Sequence, residues 1–116
     1  FDAIAFEDVK QGDALYARSS DGKLGKAIAN DTMDKATVAG FAETTQSAGA
    51  VVRAIVRGVT PTSGLNPGDF YYLSNASSGA ITTTAPTTSG HYQTVIGESG
   101  TAAQLIIKIE PPVLLA

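Results

Sequence analysis

An all-β fold, a two-sheet β-sandwich or flattened barrel of about 8–10 short strands, is what the sequence predicts. Short apolar runs rich in β-branched and aromatic residues recur along the chain, and Gly- and Asp- or Asn-containing turns separate them. Within the clearest runs apolar and polar residues alternate with period two, as in a half-buried strand. The two halves also resemble each other in order and spacing.

Strands are expected over residues 3–7, 14–18, 23–28, 37–43 and 51–59 of the first half. In the second half they are expected over 70–74, 80–84, 91–97, 103–110 and the short stretch 113–115. Gln11-Gly12-Asp13, Asp21-Gly22, Asn66-Pro67-Gly68-Asp69, Ser78-Gly79 and Ser99-Gly100 lie between them. Gly supplies the positive φ of tight turns, and Asp or Asn bonds nearby backbone there. In the run from Val51, Arg53, Ile55 and Arg57 share one face and Val52, Ala54 and Val56 the other. Leu105, Ile107 and Ile109 oppose Ile106, Lys108 and Glu110 in the same way. Residues 31–39, with Asp31 as a cap, are the one place for a helical turn, but no 3.6-residue stripe is sustained and no helix is expected.

The chain reads as a single β domain, residues 1–116, with quasi-repeats at 8–59 and 64–110 and a C-terminal arm at 111–116. Gly12-Asp13-Ala14-Leu15-Tyr16 matches Gly68-Asp69-Phe70-Tyr71-Tyr72, and Thr37-Val38-Ala39-Gly40 matches Thr94-Val95-Ile96-Gly97. The offset is 56 residues in the first block and 57 in the second. Two such halves are expected to pair their apolar faces. The match fits either a duplication or two hairpins that use the same turn chemistry.

Composition narrows the function classes. Hydrophobic residues make up 43% and charged residues only 16%, which indicates a folded body with a Ser-, Thr-, Ala- and Gly-rich surface. At 116 residues the chain can bury a self-sufficient core. Eight basic residues are dispersed and the net charge is −3, so no run of phosphates is matched and nucleic acid is not an expected partner. No window approaches the ~18 apolar residues of a membrane span, nor is there a basic amphipathic helix; no membrane partner is expected. The absence of cysteine excludes disulfides and thiolate metal sites.

No catalytic, cofactor-binding or metal-binding residue is expected. The single histidine, His91, sits at a strand opening and reads as a surface or edge residue. No Ser stands in a Gly-x-Ser-x-Gly elbow, no Gly-rich phosphate loop is present, and no Asp-x-Asp-x-Asp-Gly loop supports calcium. Asp13 and Asp69 each follow a turn Gly, where the carboxylate serves local backbone N–H groups. The triplets Asn30-Asp31-Thr32 and Asn75-Ala76-Ser77 fit the glycosylation pattern, which arises often by chance in such chains.

Two regions suggest contacts instead of chemistry. Phe1, Ile4 and Phe6 at one end, and Pro111, Pro112, Val113, Leu114 and Leu115 at the other, place large apolar groups where they are costly to expose. Two consecutive prolines cannot donate ladder bonds, so the tail leaves the last strand extended. These residues are the expected assembly interface. Alternation in Phe70-Tyr71-Tyr72 separates Tyr71 from its neighbours, making Tyr71, with Tyr92, a candidate outer-face contact; a cross-strand pair that only stabilises the sheet is the alternative.

The run Gly64-Leu65-Asn66-Pro67-Gly68-Asp69-Phe70-Tyr71-Tyr72-Leu73-Ser74, followed by Gly79-Ala80-Ile81-Thr82-Thr83-Thr84-Ala85-Pro86 and Thr94-Val95-Ile96-Gly97, resembles a pattern of tailed-bacteriophage virion structural proteins. The resemblance covers roughly residues 58–112, and residues 12–16 are similar to the opening of the same proteins. It implies a capsid decoration or cement protein on the capsid exterior, with self (a homotrimer) and the major capsid protein as partners. The alternative is a tail or head fibre domain that binds a host surface glycan. Shortness, the lack of a coiled-coil or Gly-x-y stalk and the apolar ends favour decoration. A carbohydrate-binding module using Tyr71, Tyr92 and the Thr-rich loop is a third class, and an enzyme is not expected.

Overall fold

The structure, a computed structural model, describes residues 1–116. Its elements in chain order are β1 (Asp2–Ile4), β2 (Ala14–Ala17), β3 (Leu24–Lys26), α1 (Met33–Ala36), β4 (Gly40–Ala42), β5 (Val51–Ile55), β6 (Gly58–Pro61), β7 (Phe70–Leu73), β8 (Ile81–Thr82), β9 (Tyr92–Gln93), β10 (Val95–Thr101), β11 (Gln104–Ile107) and β12 (Val113–Leu114). They form two five-stranded antiparallel sheets and a small ribbon of β12 and β9. The N-terminal sheet has the order β1-β5-β4-β2-β3 and the C-terminal sheet β6-β11-β10-β7-β8. The fold is the expected sandwich; the sheets do not close into a barrel.

Two expected strands are each divided. The run 51–59 ends its first strand at Ile55 and restarts at Gly58, whose φ of 88° turns the chain out of one sheet and into the other. Arg57 therefore lies in the break and shares no strand face with Arg53. The run 91–97 splits because Tyr92–Gln93 pairs with β12 while Val95 begins β10. β10 continues through Ser99-Gly100, read from sequence as a turn, and reverses after Thr101. A single helical turn forms where none was expected: Thr32, not Asp31, caps it by accepting the Lys35 N–H at 3.2 Å. Asp31 instead pairs with Lys35 Nζ at 2.8 Å.

The sheets repeat each other strand for strand. Leu15 faces Gly40 in the first and Tyr71 faces Gly97 in the second, at the offsets of 56 and 57 that the sequence carries. Ala17 opposite Leu24 corresponds to Leu73 opposite Ile81, and Ala42 opposite Ala54 to Ser99 opposite Leu105. The repeat is thus β1 to β5 and β6 to β11, residues 2–55 and 58–107, wider at its start than the expected 8–59 and 64–110. The two ladder glycines lie under equivalent carbonyls of the repeat. A Cβ on Gly40 would sit 3.0 Å from the Ile55 oxygen, and one on Gly97 would overlap the Ile106 oxygen.

The packing is not the symmetric pairing of equivalent faces that the repeat suggested. The larger core cluster combines Ala14, Tyr16 and Phe41 of the N-terminal sheet with Tyr71, Leu73, Ile96, Leu105 and Ile107 of the C-terminal sheet. In the repeat register Ala14 and Tyr16 correspond to Phe70 and Tyr72, not to Tyr71 and Leu73. The inner face of the C-terminal sheet therefore lies on the outer face of the N-terminal one. The inner face of the N-terminal sheet holds a second cluster of Leu15, Leu24, Ala42, Val52 and Ala54, closed by Ala5 and Val9 of the segment after β1. Buried Thr94 ties the halves further, its hydroxyl donating to the Ala36 carbonyl at 2.8 Å.

These contacts predict unequal tolerance at the paired glycines. Gly97→Ala must push the β11 backbone away and should lose about 3 kcal/mol, whereas Gly40→Ala needs a shift of tenths of an ångström and should lose about 1 kcal/mol. Urea unfolding midpoints check this; equal midpoints for the two variants contradict the close approach.

Candidate functional site

The apolar chain ends are placed on edge strands. β1 pairs on β5 with Asp2 opposite Arg53 and Ile4 opposite Val51. The Phe1 ammonium donates to the Ala54 carbonyl at 2.9 Å, and the Ala54 N–H returns a bond to the Phe1 carbonyl at 2.7 Å. Asp2 and Arg53 add an exposed ion pair at 3.1 Å, worth little by itself. The backbone is held while the side chains face outward: Phe1 is 53% exposed, and Ile4 and Val51 are exposed beside each other.

At the other end the main chain leaves β11, and the N–H groups of Lys108 and Glu110 still bond to β10 at 2.9 Å. After Pro111 and Pro112 the arm lies along β9, with Val113 opposite Gln93 and Leu114 opposite Tyr92. The Leu115 N–H reaches the His91 carbonyl, and the Gly90 N–H reaches the Leu115 carbonyl, each at 2.9 Å. Val113 and Leu114 remain 60% and 58% exposed, whereas Pro112 and Leu115 are half-buried and Pro111 is exposed. Both arms thus dock on their own chain, and their largest side chains stay uncovered.

Phe6 does not belong with them. Its ring is half-buried, meets Tyr16 edge-on at 5.9 Å between centroids, and carries the Arg18 guanidinium 4.1 Å above it. It lies where a Cβ on Gly25 would stand. The expected interface residue is a lid over its own sheet, because the chain turns inward after Ile4 and seats the ring over Gly25 and Tyr16 at the margin of the larger core.

The aromatic reading of Tyr71 is overturned. Alternation does separate it from Phe70 and Tyr72, but Tyr71 is the inward residue at 5% exposure, its hydroxyl accepting the Asn66 N–H at 2.8 Å. Phe70, at 55%, is outside. Tyr92 is half-buried against the larger core. These two tyrosines form no outer platform for a sugar ring. The Thr-rich loop does line a shallow depression with Ser74, Asn75, Thr82, Thr84 and Pro86, and His91 Nδ1 lies 3.1 Å from Asn75 Nδ2 beside it. No three His, Asp or Glu side chains are brought together.

Sequence reasoning missed the outer face of the C-terminal sheet. Val59, Phe70, Tyr72 and Ile106 share it, with the Glu98–Lys108 ion pair at 2.8 Å among them. The alternation of 70–73 and 104–107 contained the signal, but not which side would be covered. Val59 and Phe70 are exposed and Tyr72 and Ile106 half-exposed, so this is an open apolar sheet face. No protein-family model matches the chain, and no curated protein shows significant similarity to it.

Two carboxylates show how the turns are fixed. Asp21 is lowered to about 2, chiefly by its hydrogen-bonded pairing with the Arg18 guanidinium. Asp13 accepts the Lys10 N–H at 2.8 Å, as expected of a turn Asp, yet burial raises it above the usual carboxylate range. Asp69 engages only through its backbone. A raised folded-state pKa means the native state holds the proton more tightly than the unfolded chain, so Asp13 costs stability as pH rises through the carboxylate range. Asp13→Asn retains an acceptor for Lys10 and should melt higher than the parent at pH 7, the gap closing below about pH 4. Thermal melts across pH 3–7 check this; a gap that widens in acid contradicts it.

Proposed function

We propose that this chain is a virion structural module, a capsid decoration or cement protein that stabilises a bacteriophage head by trimeric assembly and arm docking. The observation that carries this reading is the display of Phe1, Ile4, Val113 and Leu114 on edge strands at both chain ends. The resemblance of residues 64–86 to virion proteins supports it. The Asn66-Pro67-Gly68-Asp69 turn in that stretch is tied to β7 by the Tyr71 hydroxyl and anchored in the core by Leu65.

The mechanism follows from how lightly the C-terminal arm is held. Its ladder is two residue pairs long, so moving it to the equivalent β9 of a neighbour replaces the same bonds at little cost. Diproline keeps the arm extended and reduces the entropy lost on docking. Covering the exposed remainder of Val113 and Leu114 at a junction contributes about 1 kcal/mol for each side chain. Strand addition and apolar burial then act together, while the double-cored body supplies rigidity.

Removing residues 111–116 should weaken assembly about tenfold or more while the far-ultraviolet β signal is kept. Native mass measurement of the full and shortened chains, with binding to assembled phage shells, checks this. Normal assembly of the shortened chain sinks the arm mechanism. Glycan binding by the isolated domain, with none to shells, points to the fibre alternative.

A further inference from the structure

We infer that the Asp21-Gly22 turn is a latent site of isoaspartate formation, held closed in the folded chain because Arg18 engages both of its reacting groups. The inference does not rest on the proposed function. Asp-Gly is a labile pair, since glycine has no side chain to hinder its own amide nitrogen and gives the backbone the freedom to close a ring. It occurs once in this chain, and Asn-Gly does not occur. The turn joins β2 to β3, both residues are exposed, and a Cβ on Gly22 would meet nothing. Bulk does not protect it.

The reaction is a condensation followed by a hydrolysis. The Gly22 amide nitrogen attacks Asp21 Cγ and the N–Cγ bond forms. The amide proton and the carboxyl hydroxyl leave as water, giving a succinimide. Water then adds to the ring at the Asp21 main-chain carbonyl carbon and breaks its bond to nitrogen. The chain now runs on through Cβ and Cγ, with the parent's mass and one extra backbone carbon. The first step needs a free amide nitrogen. It also needs a protonated carboxyl, because a carboxylate is a poor electrophile without a leaving hydroxyl.

Arg18 denies both. The Gly22 N–H donates to the Arg18 carbonyl at 2.7 Å, so the nucleophile is engaged across the turn. The Arg18 guanidinium grips the carboxylate twice, Nε to Oδ1 at 3.1 Å and Nη2 to Oδ2 at 2.7 Å, and the Lys23 N–H adds a bond to Oδ1 at 3.1 Å. All three bonds favour the charged form, and Asp21 is lowered to about 2 in consequence. The guanidinium is itself seated 4.1 Å over the Phe6 ring, which fixes the clamp to the body. What it guards is register. An extra backbone carbon between Arg18 and Lys23 disrupts the 2.8 Å bond from the Arg18 N–H to the Lys23 carbonyl and displaces β3, whose Leu24 lies in the smaller core.

The test is prolonged incubation of the full chain at about pH 6, above the carboxylate range, with isoaspartate at residue 21 read by isoaspartyl methyltransferase labelling and peptide mapping. Arg18→Gln should accelerate conversion about tenfold with the β signal unchanged, since each unit of carboxyl pKa changes the protonated fraction tenfold. Asp21→Asn isolates the backbone half, because an amide needs no protonation to react. With the Gly22 N–H still bonded, its deamidation, read by mass, should run about tenfold slower in the folded chain than in urea. A parent that converts as fast folded as in urea overturns the inference, as does a folded Arg18→Gln chain no faster than the parent. Should Arg18→Gln lose its β signal, the Asp21→Asn comparison decides, and equal rates folded and in urea overturn the inference.

Discussion

The seating of one sheet's inner face on the other's outer face is the contact on which the rest of the molecule depends. Phe41 and Tyr16 from below, and Tyr71, Leu73, Leu105 and Ile107 from above, fill it. Each buried aromatic or aliphatic side chain there is worth several kcal/mol against truncation, a large share of a small domain's net stability. This stacking also leaves the two sheets in unlike circumstances. At β2 and β4 the N-terminal sheet is covered on both faces, whereas the C-terminal sheet is covered on one.

That inequality explains several local features. A sheet covered on both faces needs apolar residues at successive positions, which is how Ala14, Leu15 and Tyr16 are all buried in β2. The inner cluster is built of small side chains, Ala42, Val52 and Ala54 among them, closed by a chain segment instead of another sheet. In β7 the alternation is clean, with Phe70 out and Tyr71 in, because one side meets protein and the other solvent.

The chain ends obey a related constraint. An edge strand presents unpaired backbone groups, and both termini are spent on edges: β1 beside β5, and β12 beside β9. Each backbone is paired along its inner side, while Phe1, Ile4, Val113 and Leu114 remain outside. Backbone pairing and side-chain burial are thus separated at both ends. The separation gives the proposed docking its physical basis, since a neighbour can cover these side chains without breaking the core.

Local sequence determined that this chain is β throughout, where most turns lie, and that its halves match. Alternation, turn glycines and the 56- and 57-residue offsets are short-range properties of the chain. What they could not carry is sidedness. Period two separates Tyr71 from Phe70 but is indifferent to which of them faces the core, so the candidate contact fell on the wrong residue of the pair. Nor does an unbroken run such as 51–59 reveal that Gly58 hands the chain from one sheet to the other, since the turn is stabilised by pairing with strands 40–50 residues away. The same holds for Phe6, a terminal residue by position and a lid by packing, because only the folded sheet places Gly25 beneath it. Which faces are covered, and by what, is decided by contacts distant in sequence, and these exist only once the sheets have stacked.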